Sequence, residues 1–531
     1  MQTDSHLQAA AEPAEAPGTP IDLPNHGKVR SIAELADIAH KLRTSGFQVV
    51  LAHGVFDLLH LGHVRHLTEA KNNGDVLMVT ISADQFVNKG PGRPVFTEAL
   101  RAEMLAALSI VDYVAISRNP GAEAVIEALR PSVYVKGSEY MRPEQDVTGR
   151  IVSERQAVER HGGRLVFTDD ITFSSSTLLN RHFSIYPPDL QEYLAERRQS
   201  GMLDQLTGLI DRIAGMRVLF VGDTILDEYQ YVEPMGKSAK EHIIATRYVN
   251  TEVFCGGVIA AANTAADFCR EVDVVTVLGD HDSREDLIRS SLKSNVTLHA
   301  IHRADAPTTR KCRMVDPAYT RKLFEVCFIN DTPLDSDAAR QLNHWLGDRL
   351  GSYDVIVVTD FGHGMINRPT IDLLCRKAPF LAVNAQTNSA NTGFNLITRY
   401  PRADYICIDA PEARMAAGVR HQPLEEIIVD GLAGTIDCPR FMITHGPNGC
   451  LSYDRNRGLG RIPAFTRSVV DTMGAGDAFL AVTSPLAATG ADLDSVGFVG
   501  NAVGALKVGI VGHRKSVDRA GVVKTITAML K

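Results

Sequence analysis

The sequence predicts an α/β protein of two successive domains, each built on a parallel sheet with crossover helices. Three observations predict this. Short apolar segments alternate with helix-length amphipathic ones. The alternation runs in two series, separated by a charged, helix-forming stretch. The 531 residues also exceed what one ordinary core encloses.

The first 24 residues, MQTDSHLQAAAEPAEAPGTPIDLP, are rich in Ala, Pro and acid. They lack the basic start and apolar core of a secretory signal, so residues 1–28 read as a disordered tail. In 29–185, SIAELADIAHKLRTSG reads as an amphipathic helix ending at Gly46, and FQVVLAHG as a buried strand. A helix from about His63 to Asn72 leads to the strand DVLMVTIS. RAEMLAALSIV is helical, DYVAIS a strand, AEAVIEALR a helix, and SVYVKG and GRLVFTDD two further strands. Residues 186–213 open on Pro187-Pro188 and become helical and charged, which reads as a helical linker. From 214 to 531 a second series runs through RVLFVGD, DVVTVLGD, DVIVVTD, FLAVNA, ADYICID and RFMITHG. Each is a short apolar strand followed by helix-like sequence.

Composition narrows the function. Hydrophobic content of 44% with 22% charge is that of a soluble globular protein, and no apolar stretch approaches the roughly 20 residues of a membrane span. A net charge of −8 argues against a general nucleic-acid binder, which carries a basic face, but not against small anionic ligands. All eight cysteines lie beyond residue 250, most beside apolar runs and none in a CxxC pair. That favours free buried thiols in a reducing cytoplasm and no structural zinc.

The first chemical motif follows the strand Val49–Ala52: His53-Gly54-Val55-Phe56-Asp57, then His60-Leu61-Gly62-His63. Histidines three apart at a helix start share one side, near unpaired backbone N–H groups. Gly54 and Gly62 let backbone approach a phosphate, so two imidazoles and a helix N-terminus make an anion site. The carboxyl end of the first parallel strand is where such sheets bind ligands.

These residues resemble the cytidylyltransferase-like nucleotidyltransferases, over roughly residues 46–182. The resemblance implies a Rossmann-like domain in which His60 and His63 touch a nucleotide triphosphate, with Mg²⁺ bridging its oxygens. KGPGRPVFTEALRAEML (Lys89, Arg93, Arg101), VKGSEY (Lys136, Gly137) and FSSSTLLN (Ser175, Ser176, Thr177) agree with it, Lys136 joining the two histidines as a catalytic residue and the others as nucleotide contacts. So do Gly54, Phe56 and Asp57. Among these sequences the region is most similar to the adenylyltransferase half of bifunctional heptose-phosphate kinase/adenylyltransferases. His53 stands where those enzymes commonly have Cys, which leaves ATP or CTP open.

The second motif, Asp471-Thr472-Met473-Gly474-Ala475-Gly476-Asp477, runs into an apolar helix. Small residues free backbone N–H groups to face an anion, and the acid after them can take a proton from a substrate hydroxyl. The surrounding chain, about 216–525, resembles the ribokinase/phosphofructokinase-B family. That resemblance implies a larger ribokinase-like α/β domain, with Asp477 as general base and Gly474, Ala475 and Gly476 as anion hole. It makes Asp223, Asp227, Gly256, Gly257, Lys311 and Arg313 sugar-side residues, and puts Thr444, Gly446 and Gly449 beside the nucleotide. Asp409 and Glu412 would order Mg²⁺ through water. Ala260 falls where the family's Ala-Ala-Asn places its Asn, Asn384-Ala385-Gln386 replaces Asp-Pro-Lys, and Asp409 replaces Asn. An unusual TNSANTGFN stretch follows Gln386. These changes suggest a different acceptor, or a half that binds without efficient turnover.

Together the resemblances imply a cytoplasmic enzyme that phosphorylates a sugar phosphate and joins it to a nucleotide, as in ADP-heptose synthesis. The order of the halves is the reverse of that usual in the heptose enzymes. A nucleotidyltransferase with a non-catalytic kinase-like half, or a glycerol- or polyol-phosphate cytidylyltransferase, also fits. Its partners would be a sugar phosphate and ATP (or CTP at the first site), with no nucleic acid or membrane. A homodimer through lid strands in 228–254 is a further expectation from the family. Trp345 reads as packing, and His161, His344 and His513 as structural or solvent-facing.

Overall fold

The computed structural model describes residues 27–87, 93–141, 150–168 and 186–531, except positions 305, 319, 320, 390 and 467. The proposed tail through residue 26, Lys89, and the hydroxyl cluster Ser175, Ser176 and Thr177 lie outside the described residues. The chain divides into two compact units, one ending at Ser175 and the other running to Lys531.

In the first unit, β1 (Val49–Gly54), β2 (Val76–Ser82), β3 (Tyr113–Ser117), β4 (Val133–Gly137) and β5 (Arg164–Thr168) form a sheet of order β3-β2-β1-β4-β5. Every pairing is parallel. Alternate residues of β1 feed two cores: Val50 and Ala52 pack on one face, Val49 and Leu51 on the other. Burial on both faces is why these strands are continuously apolar. From β1 the chain runs outward to β2 and β3, then crosses back to β4 on the other side of β1, so the end of β1 is a topological switch point.

The second unit has a nine-stranded sheet in which β6 (Arg217–Gly222) pairs with β13 (Val355–Asp360). Its order is β10-β9-β6-β13-β14-β15-β16-β17-β18, parallel except for the last two strands. Beyond β6 and β13 it contains β9 (Glu271–Gly279), β10 (Val296–Arg303), β14 (Leu381–Ala385), β15 (Tyr405–Asp409), β16 (Arg440–Thr444), β17 (Cys450–Asp454) and β18 (Gly458–Ile462). A separate four-stranded sheet, β12-β11-β7-β8, is made of β7 (Thr224–Lys237), β8 (Ile244–Gly257), β11 (Arg310–Asp316) and β12 (Arg321–Phe328).

The stretch 186–213 is not the linker its charge suggested. It forms the helices Pro188–Gln199 and Met202–Ile213. Met202, Leu206, Leu209, Ile210 and Ile213 make an apolar stripe at helical spacing, buried in the main core of the second unit. Polar contacts fix the layer: Arg197 pairs with Asp494 at 2.7 Å, and Gln205 donates to Ser495 at 2.9 Å. The eight cysteines are all free, but Cys327 is exposed rather than buried.

If these helices belong to the core, Ile210→Ala should destabilise the second unit by about 2–5 kcal/mol. Urea unfolding of the full chain checks this, and a change below 1 kcal/mol would return the segment to the status of a connector.

Candidate active sites

The first site assembles where β1 ends. Phe56 takes a left-handed conformation (φ +48°) and is buried, turning the chain toward the helix Leu61–Lys71. His60 caps that helix, its Nδ1 accepting from the Gly62 N–H at 3.1 Å. His60 and His63 lie ring to ring with centroids 4.0 Å apart, and His63 sits 5.3 Å from the Phe56 ring. The spacing does bring both imidazoles together at the helix start, each half-buried.

Asp57 is fully buried and organises the loop, accepting from Val95 N at 2.6 Å and from the Arg93 guanidinium. The second terminal nitrogen of Arg93 is buried without a hydrogen-bond partner, a donor left for an anion. Arg101 is a correction. It is fully buried, donates to Ser82 O at 2.9 Å, Phe96 O at 3.0 Å and Val55 O, and pairs with Asp84 at 2.6 Å. Its guanidinium braces the ends of β1 and β2 and is spent before any nucleotide arrives. Gly137 ends β4. Lys136 pairs with Glu154 at 3.0 Å, and Tyr134 donates to the same carboxylate at 3.1 Å. His53 bonds Thr80 Oγ1 at 2.9 Å through Nδ1. Burial, with the Lys136 charge adding to it, pushes its imidazole down to about 3, so it is neutral.

The second site lies at the carboxyl ends of β6, β13, β14 and β15. Gly474 (φ +68°) opens the helix Ala475–Ala488, and no side chain caps that helix. A Cβ at Gly474 would meet the His513 ring at 2.3 Å, so this turn requires glycine twice over. Asp477 stands in the first helical turn, buried, with its carboxyl pushed up to about 6 by desolvation. It accepts from Gln386 Nε2 at 2.6 Å.

Asp223 follows β6 and accepts from Phe361 N at 2.9 Å, after β13. Burial, and then the Asp360 charge, push it up to about 7. Buried Lys311 supplies a nearby positive field that lowers both Asp223 and Asp477 against the effect of burial. Gly256 packs so closely on Asp227 that a Cβ would meet Oδ2 at 2.1 Å, and Gly257 (φ +58°) opens the helix Val258–Ala265. Arg313 pairs with Asp227, and with Glu325 at 2.6 Å. Asn263 donates to Ser291 O at 2.9 Å, so it does not replace the sugar-side Asn that Ala260 lacks.

Thr444, Gly446, Gly449, Ala475 and Gly476 do meet: they border one cavity of about 630 Å³ with apolar walls including Phe465 and Phe479. Asp409 also borders it and forms a reciprocal cap with Glu412, at 2.8 and 2.9 Å. Asp caps a helix as well as Asn does, which explains the exchange at this position. Burial, with Asp409 beside it, pushes Glu412 up to about 7.

Sequence spacing missed His513, which is neither solvent-facing nor remote. It is largely shielded, 3.6 Å from Asp227, and desolvation pushes it down to about 4. Gln386 was legible only as a departure, not as a partner of Asp477. His161 pairs with Glu127, His344 is exposed, and Trp345 packs on the core with His299 against its ring.

Residues 51–181 match the cytidylyltransferase-like family and residues 217–520 the pfkB family of carbohydrate kinases. Bifunctional protein HldE of Geobacter metallireducens is 40% identical over 152 residues, 28% of this chain and 30% of that protein. That of Syntrophotalea carbinolica is 38% identical over the same length and shares. That of Pelobacter propionicus is 24% identical over 310 residues, 58% of this chain and 62% of that protein. The chain thus spans less than two thirds of the length of these relatives. Escherichia coli phosphofructokinase-2 with potassium superposes with a TM-score of 0.49 at 15% identity, covering 60% of this chain and all of that one. The chain belongs to the pfkB family of carbohydrate kinases, with a cytidylyltransferase-like region preceding the kinase region.

Proposed function

We propose that the chain is a bifunctional sugar kinase and nucleotidyltransferase that makes a nucleotide-activated sugar, with a heptose phosphate as the leading substrate. The observation that carries the reading is the uncapped helix start at Gly474, with a buried acid in its first turn and an apolar cavity of about 630 Å³ beside it. There the acceptor hydroxyl gives its proton to Asp477 as its oxygen bonds to the γ-phosphorus, and the nucleotide diphosphate leaves. Backbone N–H groups at 474 and 476 hold the transferring charge, the Ala475 N–H closing the turn on Thr472 O at 3.2 Å.

In the first unit, an oxygen of the sugar phosphate attacks the α-phosphorus and pyrophosphate leaves. His60 and His63 steady the oxygens on which charge gathers, and Arg93 adds its unpartnered donor. Lys136 acts here through its charge while held by Glu154. Lys89, Ser175, Ser176 and Thr177 remain nucleotide contacts by resemblance.

Asp409 and Glu412 give their inner oxygens to each other's backbone, and no cluster of three or more potential ligands occurs among the described residues. This donor set fits a hydrated Mg²⁺ held through water, and such an ion would neutralise phosphate charge. A second reading, a transferase whose kinase-like half only binds, is favoured by Ala260 and by the Arg313–Asp227 pair. ATP at both sites follows the heptose resemblance; CTP at the first belongs to the polyol-phosphate alternative. Free cysteines support a reducing compartment such as the cytoplasm, and no helix among the described residues is long and apolar enough to cross a membrane.

The lid sheet supports a homodimer: Ile244, Met235, Tyr248 and Phe324 are 70%, 64%, 60% and 56% exposed on it. Light scattering on the full chain should give twice the chain mass, and Ile244→Lys should halve it; a monomeric wild type removes the dimer.

The two activities should separate by mutation. His63→Ala is expected to lower pyrophosphate release about 100-fold or more, with phosphoryl transfer unchanged. Asp477→Asn should lower phosphoryl transfer to a sugar panel by on the order of 100-fold, with pyrophosphate release unchanged. Absence of phosphoryl transfer by the wild type across the panel would select the second reading. Preference for CTP over ATP in pyrophosphate release would select the cytidylyltransferase.

A further inference from the structure

Two features remain without a role: Gln386, where the family has a lysine by resemblance, and the Asn-rich stretch after it. The structure joins them. Gln386 ends the run from β14, and its side-chain amide donates to Asp477 Oδ1 at 2.6 Å. Its backbone is held on both sides, N–H donating to Asp360 O at 2.8 Å and C=O accepting from Asn395 Nδ2 at 3.1 Å. Asn395 is buried and also donates to Asp360 O at 2.9 Å. On either flank, Asn384 donates to Cys407 O at 2.7 Å and Thr387 N donates to Glu412 at 3.1 Å. A side chain whose own backbone is held at both its N–H and its C=O, between two anchored neighbours, has little freedom to leave its partner.

We propose that Gln386 is a positioning residue for Asp477, holding one carboxylate oxygen so that the other meets the acceptor hydroxyl, and that Asn395 fixes Gln386 in that pose. This rests on the kinase reading of the second unit. A neutral amide suits the task. It orders the carboxylate and favours its ionised form without the strong depression that an adjacent ammonium imposes. The other charged groups that act on Asp477 are Asp227 and Lys311 of the lid sheet, Lys507, and Glu412. Of these, only the two lysines favour ionisation, so the amide is the one direct hydrogen bond opposing desolvation among the causes acting on this acid.

The test compares Gln386→Met, which keeps the shape and removes the donor, Gln386→Glu, which sets a second acid there, and Asn395→Ala. The acid limb of the kcat/KM profile for phosphoryl transfer should fall near pH 6 in the wild type, since Asp477 must be ionised to accept a proton. It should rise by about one pH unit in Gln386→Met and further in Gln386→Glu. At neutral pH kcat should fall about tenfold with KM for ATP unchanged. Asn395→Ala should show the same direction, less strongly. Difference infrared titration of the full-length protein, with the Asp477 band assigned by Asp477→Asn, should show the same rise. A Gln386→Met protein with a wild-type limb and titration overturns the proposal. If the wild type phosphorylates no sugar, the kinase reading falls, and the infrared titration still decides whether Gln386 governs the carboxylate.

Discussion

A helix begins with N–H groups that have no partner inside it, and the way each start is satisfied organises this molecule. In the second unit, Asp335, Asn367, Asp409, Asp492 and Asp518 cap their helices with side chains. The helices that open on Gly257 and Gly474 carry no side-chain cap, and both open at the proposed kinase site. In the first unit the histidine His60 supplies the cap, spending one imidazole nitrogen on the Gly62 N–H. The starts at His60 and Gly474 leave donors for an anion near the carboxyl ends of parallel strands.

Burial sets the chemistry of the acids around the second site. Asp223, Glu412 and Asp477 are all pushed up toward neutrality, each chiefly by desolvation. Asp471, in the same turn, is held down to about 2 by Lys322, Tyr229 and two backbone N–H groups despite burial. Asp471 accepts from a lysine, a tyrosine and two backbone N–H groups, whereas at Asp223, Glu412 and Asp477 desolvation outweighs the fewer hydrogen bonds each accepts. Asp471 braces the turn, while Asp477 is left close to the pH at which a base works best.

Much of the fold was legible, because strands covered on both faces must be apolar and their ends carry the glycines. The His60–His63 pair was legible because local spacing fixed it, whereas only the family resemblance set Thr444 and Gly449 beside the turn at Gly476. What was not legible depends on distant residues. Arg101 read as a nucleotide contact, but its partners, Val55 and Ser82, come from two strand ends that only the sheet brings together. Charge on Glu192, Arg197 and Arg198 hid an apolar stripe in the neighbouring helix, and with it the second unit's extra layer. His513 has no motif at all; it reaches the site because Gly474 leaves room for its ring.

The most direct test of the account is a crystal structure of the full chain with a non-hydrolysable ATP analogue. The account predicts one triphosphate against His60 and His63 and a second at the backbone of residues 474–476, its base in the apolar cavity. Nucleotide bound elsewhere, with both helix starts left bare, would contradict it.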